Sequence, residues 1–216
     1  MKKIIPMLIA ITLLSNVSKA QEELRIDYRE RFMVGLKLGA NYSNVYDTEG
    51  ESFKTDPKFG LATGLFLSIP INKYVGLQPE ILFSQKGFKA NGRFLNNNYT
   101  LTRTTNYIDI PLLLSLKAGS LVTIVAGPQY SYLISQKNKF ANGTTTIEQE
   151  KEFDNDNIRR NMFCFTAGID ITLKHIVIGS RVGLDMLENR GDGTSTTPRY
   201  KNNWLQASIG YRFYKN

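Results

Sequence analysis

The sequence predicts an all-β fold, an eight-stranded antiparallel up-and-down transmembrane β-barrel. Three observations predict it. Apolar residues recur at every second position in eight separate runs. The connections between those runs alternate long and short. The reverse faces of the runs are rich in glycine and in nearly balanced charge.

The N-terminal stretch is set aside first. "MKKIIPMLIAITLLSNVSKA" carries Lys2 and Lys3, an apolar run from Ile4 to Leu14, and Ser18-Lys19-Ala20. That is the pattern of a secretory signal, with cleavage expected near Ala20-Gln21. The apolar run is too short for a stable span. The domain reading is therefore a signal peptide over 1–20, a periplasmic N-terminal segment over 21–31 and an outer-membrane barrel over 32–214. Loss of Lys2, Lys3 and Lys19 lowers the formal net charge from +8 to +5. Nucleic acid is excluded as a partner, because the basic residues do not cluster and an exported chain does not meet it. Cys164 is the single cysteine, so no internal disulfide is available.

The strands follow in order. The first run is Phe32, Val34, Leu36, Leu38, Ala40, Tyr42, and the second Phe59, Leu61, Thr63, Leu65, Leu67, Ile69. The third is Val75, Leu77, Pro79, Ile81, Phe83, and the fourth Ile108, Ile110, Leu112, Leu114, Leu116. The fifth runs from Val122 to Ile134, the sixth from Phe163 to Leu173, the seventh from Ile176 to Met186 and the eighth from Leu205 to Phe213. No helical period of comparable length competes. Mean hydropathy is negative at −0.25, which does not argue against a membrane, because alternating strands average out.

The connections read as "NVYDTEGESFKTDP", "PINKY", "GFKANGRFLNNNY", "KAGS", "QKNKFANGTTTIEQEKEFDNDNIR", "LKH" and "NRGDGTSTTPRYKN". Long and short alternate throughout. That is the pattern of short periplasmic turns and long outer loops, with both termini on the periplasmic side.

A soluble eight-stranded barrel alternates too, with its apolar face inward. The reverse face argues against it. It carries Gly35, Gly39, Gly60, Gly64, Gly76, Gly127, Gly168, Gly179, Gly183 and Gly210. Mid-strand glycine weakens a strand and gains nothing on a wet surface. Inside a narrow barrel it makes room for larger neighbours. The same parity carries Lys37, Lys86, Lys117, Arg181 and Arg212 against Glu80, Asp109, Asp170 and Asp185. Near-balance is what a confined low-dielectric lumen requires. These nine residues are the candidate site, a lumenal ion network that plugs the barrel and fixes register. A narrow ion path is the alternative role.

"GLKLGANYSNV", "GLATGLFLSIPINKYVGLQPEILFSQKG", "NYIDIPLLLSLKAG", "IVAGPQYSYLIS" and "WLQASIGYRF" together resemble the PorT-type outer-membrane β-barrel family of Bacteroidetes-like bacteria. The most specific piece is "LQPEILFSQKG" followed by "YIDIPLLL". The resemblance spans roughly residues 32–214. It implies an integral outer-membrane barrel, usually without an assigned biochemical activity. The founding member of that family is tied to protein secretion and gingipain maturation; most relatives carry only the domain, so that role does not follow from the resemblance. One departure concerns a common assembly signal: the last residue is Asn216, and Phe213 stands three places earlier.

Catalysis is not expected. His175, the single histidine, falls in the short turn "LKH" and reads as an interfacial polar residue. No G-x-S-x-G elbow and no H-E-x-x-H is present. Asp154 to Asn157 invites a calcium reading, but an EF-hand loop from Asp154 would need glycine where Arg159 stands and glutamate where Phe165 stands. Asn142-Gly143-Thr144 matches the N-glycosylation pattern, whose eukaryotic machinery is not expected here. Cys164, between Phe163 and Phe165, reads as a lumenal filler. No cofactor and no metal is expected. The expected partners are outer-membrane lipid, the barrel-assembly machinery during insertion, and secretion partners in the periplasm if the PorT-like role applies. The functional reading is an outer-membrane barrel with a structural or interaction role, its recognition lying in the long loops and above all in residues 137–159. A secretion component and a small pore are the alternatives.

Overall fold

The computed structural model describes residues 30–47, 55–94, 97–142, 145–151, 159–189 and 200–213. The expected signal peptide over 1–20 and the acidic run from Asp154 to Asn157 lie outside these residues. So do Gly143 and Thr144 of the N-x-T match.

Among the described residues nine strands are present: β1 (Met33–Asp47), β2 (Thr55–Pro70), β3 (Val75–Phe94), β4 (Asn97–Lys117), β5 (Val122–Asn142), β6 (Thr145–Lys151), β7 (Asn161–Leu173), β8 (Ile176–Asp185) and β9 (Tyr200–Phe213). All pair antiparallel. β1 pairs β2 on one side and β9 on the other, and the β4–β5 and β5–β7 pairings complete the circuit. Eight strands thus close a ring, and β6 is a hairpin partner of β5 outside it. Within the ring closure leaves no edge, the condition for a sheet in a solvent that cannot hydrogen-bond.

The apolar rows point outward. Leu38 is 62% exposed and Ile209, its register partner, 63%. The segment from Val34, paired with Phe213, to Tyr42, paired with Phe59, is of the ~9–11 residues that cross a bilayer on a tilted strand. Aromatic residues collect at its two ends. Tyr42 packs on Phe59 with centroids 4.8 Å apart, and Tyr211 packs on Phe213 at 5.2 Å. Met33 and Phe213 lie at the end of the ring that carries the short turns 71–74, 118–121 and 174–175.

Two expected loops are corrected. Residues 87–94 and 97–99 of "GFKANGRFLNNNY", and residues 136–142 of "QKNKFANGTTTIEQEKEFDNDNIR", continue as strand, so β3, β4 and β5 reach 20, 21 and 21 residues. That is about twice what a membrane needs. The surplus, with β6, forms a four-stranded blade rising from the long-loop end. Its base is visible in the outward rows. Above Phe83 and Ile108 the outward side chains turn polar, and Gln85, Asn106 and Ser135 bond to one another across three strands at 3.0 and 2.8 Å. Sequence period cannot reveal such a blade, because once both faces leave the lipid the apolar alternation stops.

Two bulges lie near this level. β2 slips one residue against β3 between Pro57 and Ala62, and β5 slips against β4 beside Asn106 and Tyr107. At the first, the Ser43 hydroxyl of β1 accepts the Gly87 N–H (2.9 Å) and donates to the Gly87 carbonyl (2.9 Å), supplying the ladder bonds the bulged strand does not. Gly87 has φ +151°, a conformation that favours glycine.

The core is the lumen. At Gly183 a Cβ would sit 2.1 Å from the Trp204 ring, and at Gly35 2.3 Å from the Phe66 ring. These glycines are the space into which the two large inward rings fit.

Candidate functional site in the lumen and at its outer mouth

Period 2 places one side chain in every second position on the lumenal face, and the ring brings distant strands together there. Eight of the nine expected charges are buried: Lys37, Glu80, Lys86, Asp109, Lys117, Asp170, Arg181 and Asp185. Seven of them form two groups at different heights, and Lys117 lies apart.

The group nearer the termini joins four strands. Lys37 Nζ of β1 lies 2.6 Å from both carboxylate oxygens of Glu80 on β3. Arg181 of β8 binds Asp170 of β7 bidentately, Nη1 to Oδ1 at 2.6 Å and Nη2 to Oδ2 at 2.7 Å. Arg181 Nη2 also lies 3.7 Å from Glu80 Oε1. Gln78 completes the bridge, donating to Glu80 Oε1 (2.9 Å) and to Asp170 Oδ2 (3.2 Å). Two cations and two anions close on themselves, the arrangement a dry interior tolerates. Above this group a neutral layer links β9, β1 and β3 along one side of the lumen: Gln206 Nε2 donates to Asn41 Oδ1 and Asn41 Nδ2 to Ser84 Oγ, both at 2.9 Å.

The second group centres on Lys86. Its ammonium lies 3.1 Å from Asp109 Oδ2, 3.7 Å from the Trp204 ring centroid and 4.9 Å from that of Tyr107. Asp185 is held by neutral donors: the Cys164 thiol (3.2 Å), the Asn202 N–H (2.9 Å) and the Asn202 side-chain amide. Tyr107, Leu133, Met162, Cys164 and Trp204 pack as one buried apolar cluster around it. Lys117 is buried towards the short-turn end. Arg212 is half-buried at that rim, where Nη2 donates 3.1 Å to the Lys174 carbonyl. His175 stacks on Tyr211 with centroids 5.3 Å apart, and its Nδ1 lies 2.9 Å from the Arg212 carbonyl. No group of metal-ligating residues exists among the described residues.

The outer mouth carries a third cluster. Val45, Phe88 and Ala90 are buried, with Leu101 and Tyr200 packed against them. Arg103 of β4 crosses to β9: Nη1 donates 2.7 Å to the Tyr200 hydroxyl, and Nε donates 2.9 Å to Asn138 Oδ1. The Arg103 guanidinium lies 5.8 Å from the centroids of both Phe88 and Tyr200.

Several of these residues escaped the sequence reading. Gln78, Trp204 and Arg103 share the lumenal parity of Glu80, Gln206 and Asp109, so parity alone could have found the first two. Arg103 required knowing that β4 begins at Asn97.

A closed antiparallel ring with apolar rows outside and ions inside defines an outer-membrane type of barrel. The chain belongs to the outer membrane protein beta-barrel domain family, whose model matches residues 19–186. It is an outer-membrane protein. No curated protein matches the chain. Among solved structures, the attachment invasion locus protein Ail of Yersinia pestis is similar, at 14% identity and a TM-score of 0.46 over 84% of this chain and 98% of that one. Neisserial surface protein A is similar at 12% identity and a TM-score of 0.46, over 84% and 97%. Outer membrane protein OprG of Pseudomonas aeruginosa matches at 10% identity and a TM-score of 0.36, over 85% and 96%. Likeness at this level carries no ligand or partner across to this chain.

Proposed function

We propose that this outer-membrane barrel is a closed scaffold that displays a recognition surface at its long-loop end, and that it is neither a pore nor an enzyme. One observation carries the reading: side chains span the bore at successive heights, from Lys37–Glu80–Arg181–Asp170 through Lys86–Trp204 to buried Phe88 against half-buried Tyr200. Eight strands leave a lumen just wide enough for side chains, and these occupy it. The lumenal ion network, with Lys117 and Arg212 at its short-turn end, acts as a plug that fixes register. The surplus length of β3, β4, β5 and β6 is then the working part, since a membrane anchor has no need of it. By the usual topology the short turns and termini face the periplasm, after removal of the signal peptide, and the blade faces outward. Single-channel recording on the purified protein in planar bilayers tests this. A silent barrel is expected, and a steady, large conductance that persists after the blade is shortened refutes the plug.

A second reading, a secretion-apparatus component, has the PorT-type resemblance in its favour. Its most specific motifs contribute Gln78, Glu80, Lys86 and Asp109, which face the lumen. The resemblance therefore speaks more for a shared barrel interior than for a shared partner surface. Recovery of periplasmic secretion proteins with the tagged barrel from membranes would favour this second reading over the first.

A further inference from the structure

Lys37, Lys86 and Arg181 each have a carboxylate within 4 Å, but Arg103 at the mouth does not. Its two hydrogen-bond acceptors are the neutral Asn138 amide oxygen and the neutral Tyr200 hydroxyl. Among the described residues it makes no ion pair. A guanidinium offers five N–H donors in a planar fork, and two are engaged here. The Phe88 and Tyr200 rings hold that plane in place, and the side chain is only half-buried. Such a group is pre-organised for a two-oxygen anion.

We propose that Arg103 is an oxyanion-binding residue at the outer mouth, taking a carboxylate or a phosphate ester, and that the incoming anion displaces the Tyr200 hydroxyl and so unlatches β4 from β9. The Nη1–Tyr200 bond joins the cation to a neutral acceptor, whereas an oxyanion brings opposite charge and a second, parallel bond, so the anion wins the Nη1 donor. A second observation points to the same place. One lumenal row beneath Asn138, Gln136 is 1% exposed and its Oε1 has no hydrogen-bond partner. An open mouth gives that oxygen water, which favours release of the latch. Deeper in the same compartment lies Cys164, the single cysteine, which reports on access.

The inference rests on the long-loop end being the recognition end. The test uses the full chain folded in detergent micelles, titrated with sodium phosphate or sodium N-acetylglutamate against sodium chloride at matched ionic strength. The Arg103 Nε–H resonance, assigned by its loss in R103K, should move in one or both titrations, and which of them moves it names the class of anion. Alkylation of Cys164 by N-ethylmaleimide should accelerate with the same anion, by about tenfold if the latch contributes one charge-group hydrogen bond. R103Q should alkylate fast without anion and ignore it. Y200F, which keeps the ring, should alkylate fast and still show the anion shift. If R103Q does not fold, by heat-modifiable mobility, the wild-type titration and Y200F decide. An unmoved Arg103 resonance in both titrations overturns the proposal while leaving a silent, loop-dependent binder intact. Conductance through the wild-type barrel defeats the broader reading without touching the titration.

Discussion

Lys86 Nζ lies 3.7 Å above the Trp204 ring and 3.1 Å from Asp109 Oδ2, so one buried ammonium is held between an indole face and a carboxylate. The cation that neutralises Asp109 is also a packing contact of the chain's single tryptophan.

Replacing Lys86 by methionine should therefore destabilise strongly. It leaves Asp109 buried without its partner, and breaking a buried pair from one side costs about 3–5 kcal/mol. The double variant K86M/D109L, which removes both charges, should recover a large part. Urea unfolding in lipid vesicles, followed by Trp204 emission, measures both. Equal losses in the single and double variants would mean the pair contributes packing alone.

G183A should cost about 1–3 kcal/mol, the usual penalty for overpacking. The added Cβ meets the six-membered ring of Trp204 at 2.1 Å, and a ring held by Lys86 has little room to retreat. W204F, with a shorter ring, should relieve part of the penalty of G183A. G119A is the control: a Cβ there meets nothing within 4 Å, so it should stay within about 0.5 kcal/mol of the parent.

These two sites mark where the sequence was legible and where it was not. That Lys86, Asp109 and Gly183 share one interior follows from period 2, which needs no neighbour to be known. That Lys86 takes Asp109 rather than Asp170 depends on the stagger of the strands, and no residue spacing encodes it. Lys37 finds Glu80 across the intervening β2 because Gly64, the β2 partner of Lys37, has no side chain to block it. The blade was hidden for another reason. Thr100, Thr102, Lys137 and Lys139 stand on the outward face of strands that have left the lipid, and without an apolar outer row such strands look like loops in sequence.

Orientation has its own test. L38R places a charge on the outward row midway along β1, where it should cost about 2–4 kcal/mol of folding free energy in a bilayer, while F213R near the interface should cost about 0–1. Leu38 and Phe213 are comparably exposed, at 62% and 51%, so a solvent of water would treat the two alike. Folding titrations of the two variants in vesicles read the difference, and equal, negligible effects would turn the barrel inside out.

The last prediction separates scaffold from blade. β6 pairs with β5 alone, over Gln136–Asn142, whereas β5 meets β7 over Val122–Tyr132. Replacing residues 140–158 by a short glycine-serine turn therefore leaves the β5–β7 pairing whole and takes from the β4–β5 pairing only its three outermost pairs, Leu101–Phe140, Thr100–Ala141 and Tyr99–Asn142. The shortened protein should insert and keep its heat-modifiable mobility. Cutting back β3 and β4 beyond Lys86 is a different operation. It deletes Phe88, Ala90 and Arg103, the residues that close the mouth against Val45 and Tyr200, and it should expose Cys164 to alkylation even where the ring still forms. If recognition lies in residues 137–159, the first cut abolishes binding and leaves the lumen sealed; if it lies at Arg103, only the second does.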